Sequence, residues 1–322
     1  MQTALIPCAL AVLLAAAPAQ AATAYITNEK GNSVTVVDLD KLVAVRTVEV
    51  GQRPRGIALS KDEKLLYVCL GDDDTIAILD AKTLDRVGEL PSGIDPEQIR
   101  LSPDGKLAFV ANENDAMLTA IDLESRRAIT EIPVGVEPEG VAVSKDGETV
   151  INTSETTSMA HFIDWRAKKV VANVLVGARP RYAEFTPDGK ELWVSSEVGG
   201  GVSVIDPEKH VVIAKIGFEV PGLAKEQIQP VGIRFSEDGK LAFVALGPAN
   251  RVAVIDVASR KPIKYLLVGQ RVWQLALTKD GKYLVSTNGV TNDISVIDIA
   301  AEKVIKSIPV GSFPWGVAIS SQ

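Results

Sequence analysis

Histidine, cysteine and aromatic residues are all scarce in this chain of 322 residues: two His, two Cys, and 5% Phe, Trp and Tyr together. Two cysteines, Cys8 and Cys69, exclude a disulfide framework and a Cys-rich zinc site, and the missing Cys-x-x-Cys-His motif excludes a c-type haem attachment. Basic residues are outnumbered by acidic ones, 34 to 41, so the net charge is −7. A chain of that sign offers no basic face for nucleic acid or anionic lipid. Long apolar runs are missing too. The longest, Leu10 to Ala17, is too short to span a bilayer. It is followed by Ala19-Gln20-Ala21, a small-x-small cleavage pattern, so residues 1–21 are expected to be a secretory signal despite an N-terminal end without Lys or Arg. The mature chain, 22–322, is then periplasmic or secreted, carries one thiol and has no membrane span.

What is present is repetition. Asp closes a β-rich run at Asp38, Asp80, Asp122, Asp164, Asp206, Asp256 and Asp298, at intervals of 42 residues except for one of 50 between Asp206 and Asp256. Pro54, Pro96, Pro138, Pro180, Pro230 and Pro314 keep the same step, with Val272 in the remaining slot. A Ser/Thr-x-Asp-Gly turn recurs at Asp104, Asp146, Asp188, Asp238 and Asp280, and Asp62-Glu63 is its imperfect first copy. Each unit reads as four short strands rich in Val and Ile and broken by Gly, Pro and Asp, and no stretch keeps a helical period. Seven such units predict an all-β, seven-bladed propeller of four-stranded antiparallel blades, a single domain over 22–322. The chain starts in a second strand and ends in a first strand. One blade is therefore expected to be shared between the termini, which closes the ring.

Tyr25-Ile26-Thr27-Asn28, Phe109-Val110-Ala111-Asn112 and the turn Ser102 to Gly105 resemble the YVTN-type β-propeller repeat, and the resemblance extends over 23–322. Within that group the chain resembles the exported seven-repeat propellers associated with PQQ-dependent alcohol catabolism. The resemblance implies work beside quinoprotein dehydrogenases and transport components. Three copies depart from Pro-x-Gly: Pro96-Glu97-Gln98, Pro180-Arg181-Tyr182 and Val272-Trp273-Gln274.

Aligning the seven units separates blade-building residues from the rest. The recurrent Asp residues are read as turn caps. Cys69 shares a small-residue slot with Thr27, Ala111, Thr153, Ser195, Ala245 and Thr287, and is read as an inert buried thiol. His161 stands where other blades have Thr, Ala or Ser and is read as packed with one hydrogen bond; His210 is read as solvated. The residues flanking the recurrent Pro break the repeat and surround one mouth of the channel. Arg53, Arg55, Glu97, Glu139, Arg179, Arg181, Arg271, Trp273 and Trp315 are the ligand-binding candidates, since Arg can fork onto anions and Trp offers an apolar platform. The competing reading makes them an inter-blade salt-bridge ring. A deeper slot holds Arg100, Glu184 and Arg234, which must pair or line a wet channel. Glu29, Glu113, Glu155 and Glu197 begin the loops between second and third strands. They could gather a hard cation, but no dense Asp/Asn/Gly loop accompanies them, and neither metal nor cofactor is assigned.

No catalytic constellation is visible. The leading reading is a monomeric, non-enzymatic binding or accessory propeller that takes a small molecule, or a quinoprotein or transport component, at the mouth. Two others remain open: a lactonase-type propeller hydrolase and a protein-docking platform. The eight extra residues, within Gly217 to Gln229, are expected to form a loop that partly covers the mouth and contributes to recognition; the alternative is a surface bulge packed on blade 5.

Overall fold

Short runs of β-branched residues bounded by turn-forming residues give strands and almost nothing else. In the computed structural model, residues 22–321 are described; the expected signal segment, with Cys8, lies outside the described residues. The described strands run from β1 (Thr23–Asn28), β2 (Ser33–Asp38) and β3 (Val43–Glu49) to β28 (Pro314–Ser320), and fall into seven four-stranded antiparallel sheets. The only helical segments among the described residues are two short 3-10 turns, Gly71–Asp73 and Lys225–Gln227. Blades 1 to 6 follow chain order from Pro54. Blade 7 has the order β28-β1-β2-β3, so the C-terminal strand pairs with the N-terminal one, Ala318 opposite Tyr25. The expected shared blade is present.

Local chemistry explains the blade. Each of the seven recurrent Asp side chains accepts the backbone N–H three residues on, from 2.7 Å at Asp122 to 3.0 Å at Asp206. In every Ser/Thr-x-Asp turn the hydroxyl donates to the Asp carboxylate, as from Ser102 to Asp104 and from Thr186 to Asp188. A bulge between third and fourth strands recurs in all seven blades, for example at Val36/Val37 and Phe162/Ile163, and adds the twist a propeller needs.

The core lies between blades. Trp193 and Tyr182 of blade 4 pack with Ile233, Phe235 and Val244 of blade 5, and Ile26 of blade 7 packs with Ala276 and Val285 of blade 6. The small-residue slot also holds the ring together. Thr27 donates to the carbonyl of Arg55, Ser195 to that of Val231, and Thr287 to that of Trp315, each in the next blade. Cys69 in this slot is fully buried, and burial pushes its thiol pKa well up.

The Pro-x-Gly departures have a steric reason. Around the channel the third position reads Gly56, Gln98, Gly140, Tyr182, Gly232, Gln274, Gly316, small alternating with large. A Cβ on Gly56 would lie 2.9 Å from the Cα of Gln98, and one on Gly140 would lie 3.0 Å from the Cα of Tyr182. Neighbouring first strands are too close for two side chains, so every large one needs a glycine beside it.

The inserted segment packs on blade 5. Phe218, Val220 and Ile228 are buried with Ala249 and Leu246, Leu223 packs against the same cluster, and the Tyr265 hydroxyl accepts the N–H of Glu219 at 3.1 Å. This corrects the expectation of a loop that covers the mouth: the segment is a bulge packed on blade 5. The segment reaches the mouth only at its end, where Gln229 Oε1 accepts from Arg271 at 2.8 Å. The first strand of this blade shrinks to Ile233–Phe235 as a result.

Candidate functional site

The recurrent Pro fixes where each blade enters its innermost strand. The residues just before that position, Arg53, Asp95, Glu137, Arg179, Arg271 and Phe313, all have left-handed φ between 50° and 61°. A neighbouring loop holds several of them there. Asn32 Oδ1 accepts the N–H of Arg53, Asp74 Oδ1 that of Asp95, Asn250 Oδ1 that of Arg271 and Asn292 Oδ1 that of Phe313. The loop between second and third strands is tied to the same point. Glu29 N–H donates to the carbonyl of Phe313, Glu113 to Asp95, Glu155 to Glu137 and Glu197 to Arg179. Charged side chains from two loops per blade are thereby set at the channel mouth.

They meet as a cross-linked network. Arg53 pairs with Asp72, Asp95 and Glu97; Arg55 pairs with Glu97 and with Glu29 at 3.0 Å, and reaches toward Glu139 at 3.8 Å. Arg181 pairs with Glu139 at 2.7 Å and with Glu155, and lies 3.7 Å from Glu197. Arg179 joins Glu155 and Glu197, and Arg271 joins Glu197. The salt-bridge ring is the geometry found. Eight of the nine candidates are drawn together in or onto it. The ninth, Trp315, lies beneath Arg55, whose guanidinium is 5.6 Å from its ring centre. Trp315 is 2% exposed and is no open platform, which corrects that expectation; Trp273 is half-buried under Arg271 at 4.1 Å. Glu97, Glu139 and Arg181 are buried, and Arg53, Arg55, Arg179, Arg271 and Trp273 are the candidates solvent still reaches.

The carboxyl groups are not equivalent. Burial works against the charge of Glu97, but Arg55 and Arg53 overcome it and hold its pKa below the usual range. Glu113 is pushed up to about 7, by burial and then by the charge and hydrogen bond of Glu97 beside it. Burial also raises Glu139 well above the ordinary value, reinforced by Glu97 and Glu155 and opposed by Arg181. Neither oxygen of Glu139 accepts a hydrogen bond, nor does the indole N–H of Trp273 or Trp315 donate one, among the described residues.

Below the mouth the channel is filled. Gln98, Tyr182 and Gln274 project from the large positions, and the remaining cavity is about 30 Å³, the volume of a water molecule or so. Deeper, Arg100 pairs with Glu184 at 2.7 Å and Arg234 pairs with it at 3.2 Å, while both arginines donate to the Tyr182 hydroxyl. The deep slot pairs with itself, as charge burial demands.

The histidines take no part in the mouth network. His161 Nε2 accepts the N–H of Gly135 at 3.1 Å, which puts the proton on Nδ1, facing Asn173 Oδ1 at 2.6 Å; the Ser154 hydroxyl is 3.0 Å from Nε2. This is three partners, not the one expected. The reason is a swap within the repeat: Asn28 bonds Thr35, Asn112 bonds Thr119 and Asn288 bonds Ser295, whereas blade 3 puts the short Ser154 opposite the long His161. His210 is not simply solvated, since its ring packs against Phe162 at 4.6 Å.

Ring, repeat and blade order define a seven-bladed β-propeller. A family model described as YNCE-like beta-propeller matches residues 1–118. No curated protein matches the sequence. Among solved structures the chain is similar to Kuenenia stuttgartiensis hydrazine synthase, with 24% identity and a TM-score of 0.79 over 86% of this chain and 92% of that one. It is similar also to a putative 6-phosphogluconolactonase from Bacteroides uniformis, with 18% identity and a TM-score of 0.78 over 94% of this chain and 100% of that one. A functionally unknown protein from Desulfotomaculum acetoxidans has 17% identity and a TM-score of 0.80 over 92% and 98% of the two chains. At these identities the likeness is one of fold.

Proposed function

We propose that this protein is an exported, non-enzymatic binding or accessory propeller that works beside PQQ-dependent alcohol oxidation and its transport system, and that it takes its ligand or partner on the mouth face. The resemblance of the repeats supplies the setting. The observation that carries the site is the filled channel: a cavity of about 30 Å³ below a cross-linked mouth leaves no room for an organic substrate to descend. Recognition then falls to the mouth face itself, where Arg179, Arg271 and Trp273 are reachable. General acid–base hydrolysis wants a titrating group free to exchange a proton with substrate. His161 has both ring nitrogens engaged and is no such group, whereas Glu113 at the mouth, held at about 7, is the group a hydrolase would use, so turnover has to be tested directly.

The test is a pair of assays on the mature chain. Hydrolysis of γ- and δ-lactones is followed with and without divalent metal, and thermal stabilisation is followed with alcohols, aldehydes, carboxylates and PQQ, since a ligand of the native state raises the midpoint. Stabilisation without turnover supports the reading. Lactone hydrolysis that is lost in Glu97→Gln would replace it with the hydrolase.

A further inference from the structure

The imperfect copy of the repeated turn lies beside the one joint of the ring that no hairpin closes. Six blades join first strand to second through this turn, and in five of them its last residue is glycine: Gly105, Gly147, Gly189, Gly239 and Gly281, with φ between 67° and 75°. Blade 1 has Glu63 in that slot. Its φ of 58° is again left-handed, and its N–H donates to the Ser60 carbonyl at 2.8 Å, as that of Gly105 does to Ser102. The turn has kept the glycine conformation and has not adapted to the side chain. A residue with a Cβ is less favourable at positive φ than glycine, so the backbone gives no reason for Glu63.

Its surroundings do. In blades 2, 3 and 5 a Cβ on the turn glycine would lie 2.9 Å from Lys61, 3.5 Å from Pro103 and 3.7 Å from Pro187, each the second residue of the turn one blade earlier. The blade before blade 1 is blade 7, whose first two strands, β28 and β1, come from opposite ends of the described chain and share no turn. Glu63 reaches into that place. Its Oε2 accepts the Ser320 hydroxyl and the Ser321 N–H, both at 2.9 Å, and the Ser321 hydroxyl lies 2.9 Å from Oε1 and 3.0 Å from Oε2. Ser320, the last residue of β28, is buried. Burial works against the charge of Glu63, but these donors overcome it and hold its pKa below the ordinary value. The acceptor is therefore ionised, and bonds to an ionised acceptor are about twice as strong as neutral ones.

We propose that Glu63 is a latch: it ties the end of β28 to blade 1 across the seam of the ring and slows the opening of the ring there. The latch is separate from recognition at the mouth and stands or falls whatever the mouth binds. In blades 1 to 6 the first two strands cannot part far, because a turn of chain joins them; in blade 7 they are held by the strand ladder. Peeling of β28 exposes an unpaired edge on β1 and takes from the first strand of blade 1 its neighbour. The ladder runs from Asn28 opposite Pro314 to Thr23 opposite Ser320, so Glu63 grips it at the end from which it frays. Thr27 also crosses the seam, to the Arg55 carbonyl, but that bond recurs between other blades. The bonds of Glu63 belong to the seam alone among the described residues.

The experiment measures the unfolding rate in denaturant, and hydrogen exchange strand by strand in water. It uses the native mature chain, Glu63→Gly, the pair Ser320→Ala with Ser321→Ala, and all three changes together. The two accounts of Glu63 predict opposite signs. Backbone preference alone makes Glu63→Gly, which restores the repeat, unfold more slowly than the native chain. The latch makes it unfold faster, by about fivefold or more, because the loss of charge-assisted bonds outweighs the relief of the turn. The serine pair should act in the same direction, and the triple variant should unfold about as fast as Glu63→Gly, since one latch can be lost only once. Exchange in Glu63→Gly should rise more in β28 and β1 than in the strands of blade 4. Unfolding of Glu63→Gly no faster than that of the native chain would overturn the latch. So would fully additive effects in the triple variant, or exchange raised equally in blades 4 and 7.

Discussion

The outward turns and the channel mouth use the same residue type in opposite ways. At the turns, seven Asp side chains make the same bond to the same backbone position, and hydrogen bonds, as from Ser125 to Asp122 or Thr83 to Asp80, lower the pKa values of Asp38, Asp80, Asp122, Asp206 and Asp256. At the mouth the blades differ, with arginine pairs in blades 1 and 4 against acidic pairs in blades 2 and 3; several carboxylates are buried, and Glu113 and Glu139 are held above their ordinary range. Repetition is the signature of what builds the ring. The mouth spends stability on charges the ring does not require, because apolar residues of similar size would fill the same volume at no greater cost. The contrast is the structural argument for recognition there.

The largest effect is expected from Arg181→Met. It strands buried Glu139, whose other arginine is 3.8 Å away, and takes one partner from Glu155, and the loss of one partner of a buried pair costs about 3–5 kcal/mol; the measurement is the denaturation midpoint, and adding Glu139→Leu should recover part of the loss. An equal midpoint for Arg181→Met would mean that the network carries no buried charge worth the name. Next is Thr287→Val within the repeated framework. Its hydroxyl accepts from Gln274 N–H at 3.0 Å and donates to the Trp315 carbonyl at 2.7 Å, so its removal orphans buried groups at about 1–3 kcal/mol.

A smaller effect, dependent on pH, comes from the one blade that rewrote the repeated pair. Burial lowers the pKa of His161, so the fold holds it neutral. The unfolded chain binds a proton below about pH 6.5. Its contribution is therefore fully present above that pH and is lost as pH falls below it. Restoring the repeat with Ser154→Asn and His161→Thr should remove that part of the slope in midpoint against pH. The smallest effect is expected from Asp122→Ala. Its turn is exposed and water replaces the lost acceptor, so the midpoint should move far less than for Arg181→Met.

How much was legible in the sequence follows the same division. The blades, the shared closure and the turn caps could all be read, because each left seven aligned copies, and the buried Cys69 followed from its slot. The mouth residues could be found as departures from those copies, but their partners could not. Arg55 meets Glu139 from two blades away, a separation of 84 residues that no local pattern encodes. The alternation of Gly56, Gln98, Gly140 and Tyr182 was in view as imperfect motifs; its meaning needed the distance between neighbouring strands. Asp95 and Glu113 were each in view without their contact, and the signal that could have joined them was two acidic flanking pairs in adjacent blades. The inserted segment was placed in the right connection, yet the choice between covering the mouth and packing on blade 5 could not be made, because the sequence does not show the face its apolar residues cover.

The most direct test of recognition at the mouth is a thermal-shift measurement run in parallel on the native chain, the mouth variant Trp273→Leu and the turn variant Asp122→Ala, each against the same alcohols, aldehydes, carboxylates, PQQ and Ca²⁺. The account expects at least one of these to raise the midpoint of the native chain and of the turn variant by equal amounts, and to raise that of the mouth variant by less. No rise for any of them, or an equal rise in both variants, would contradict it.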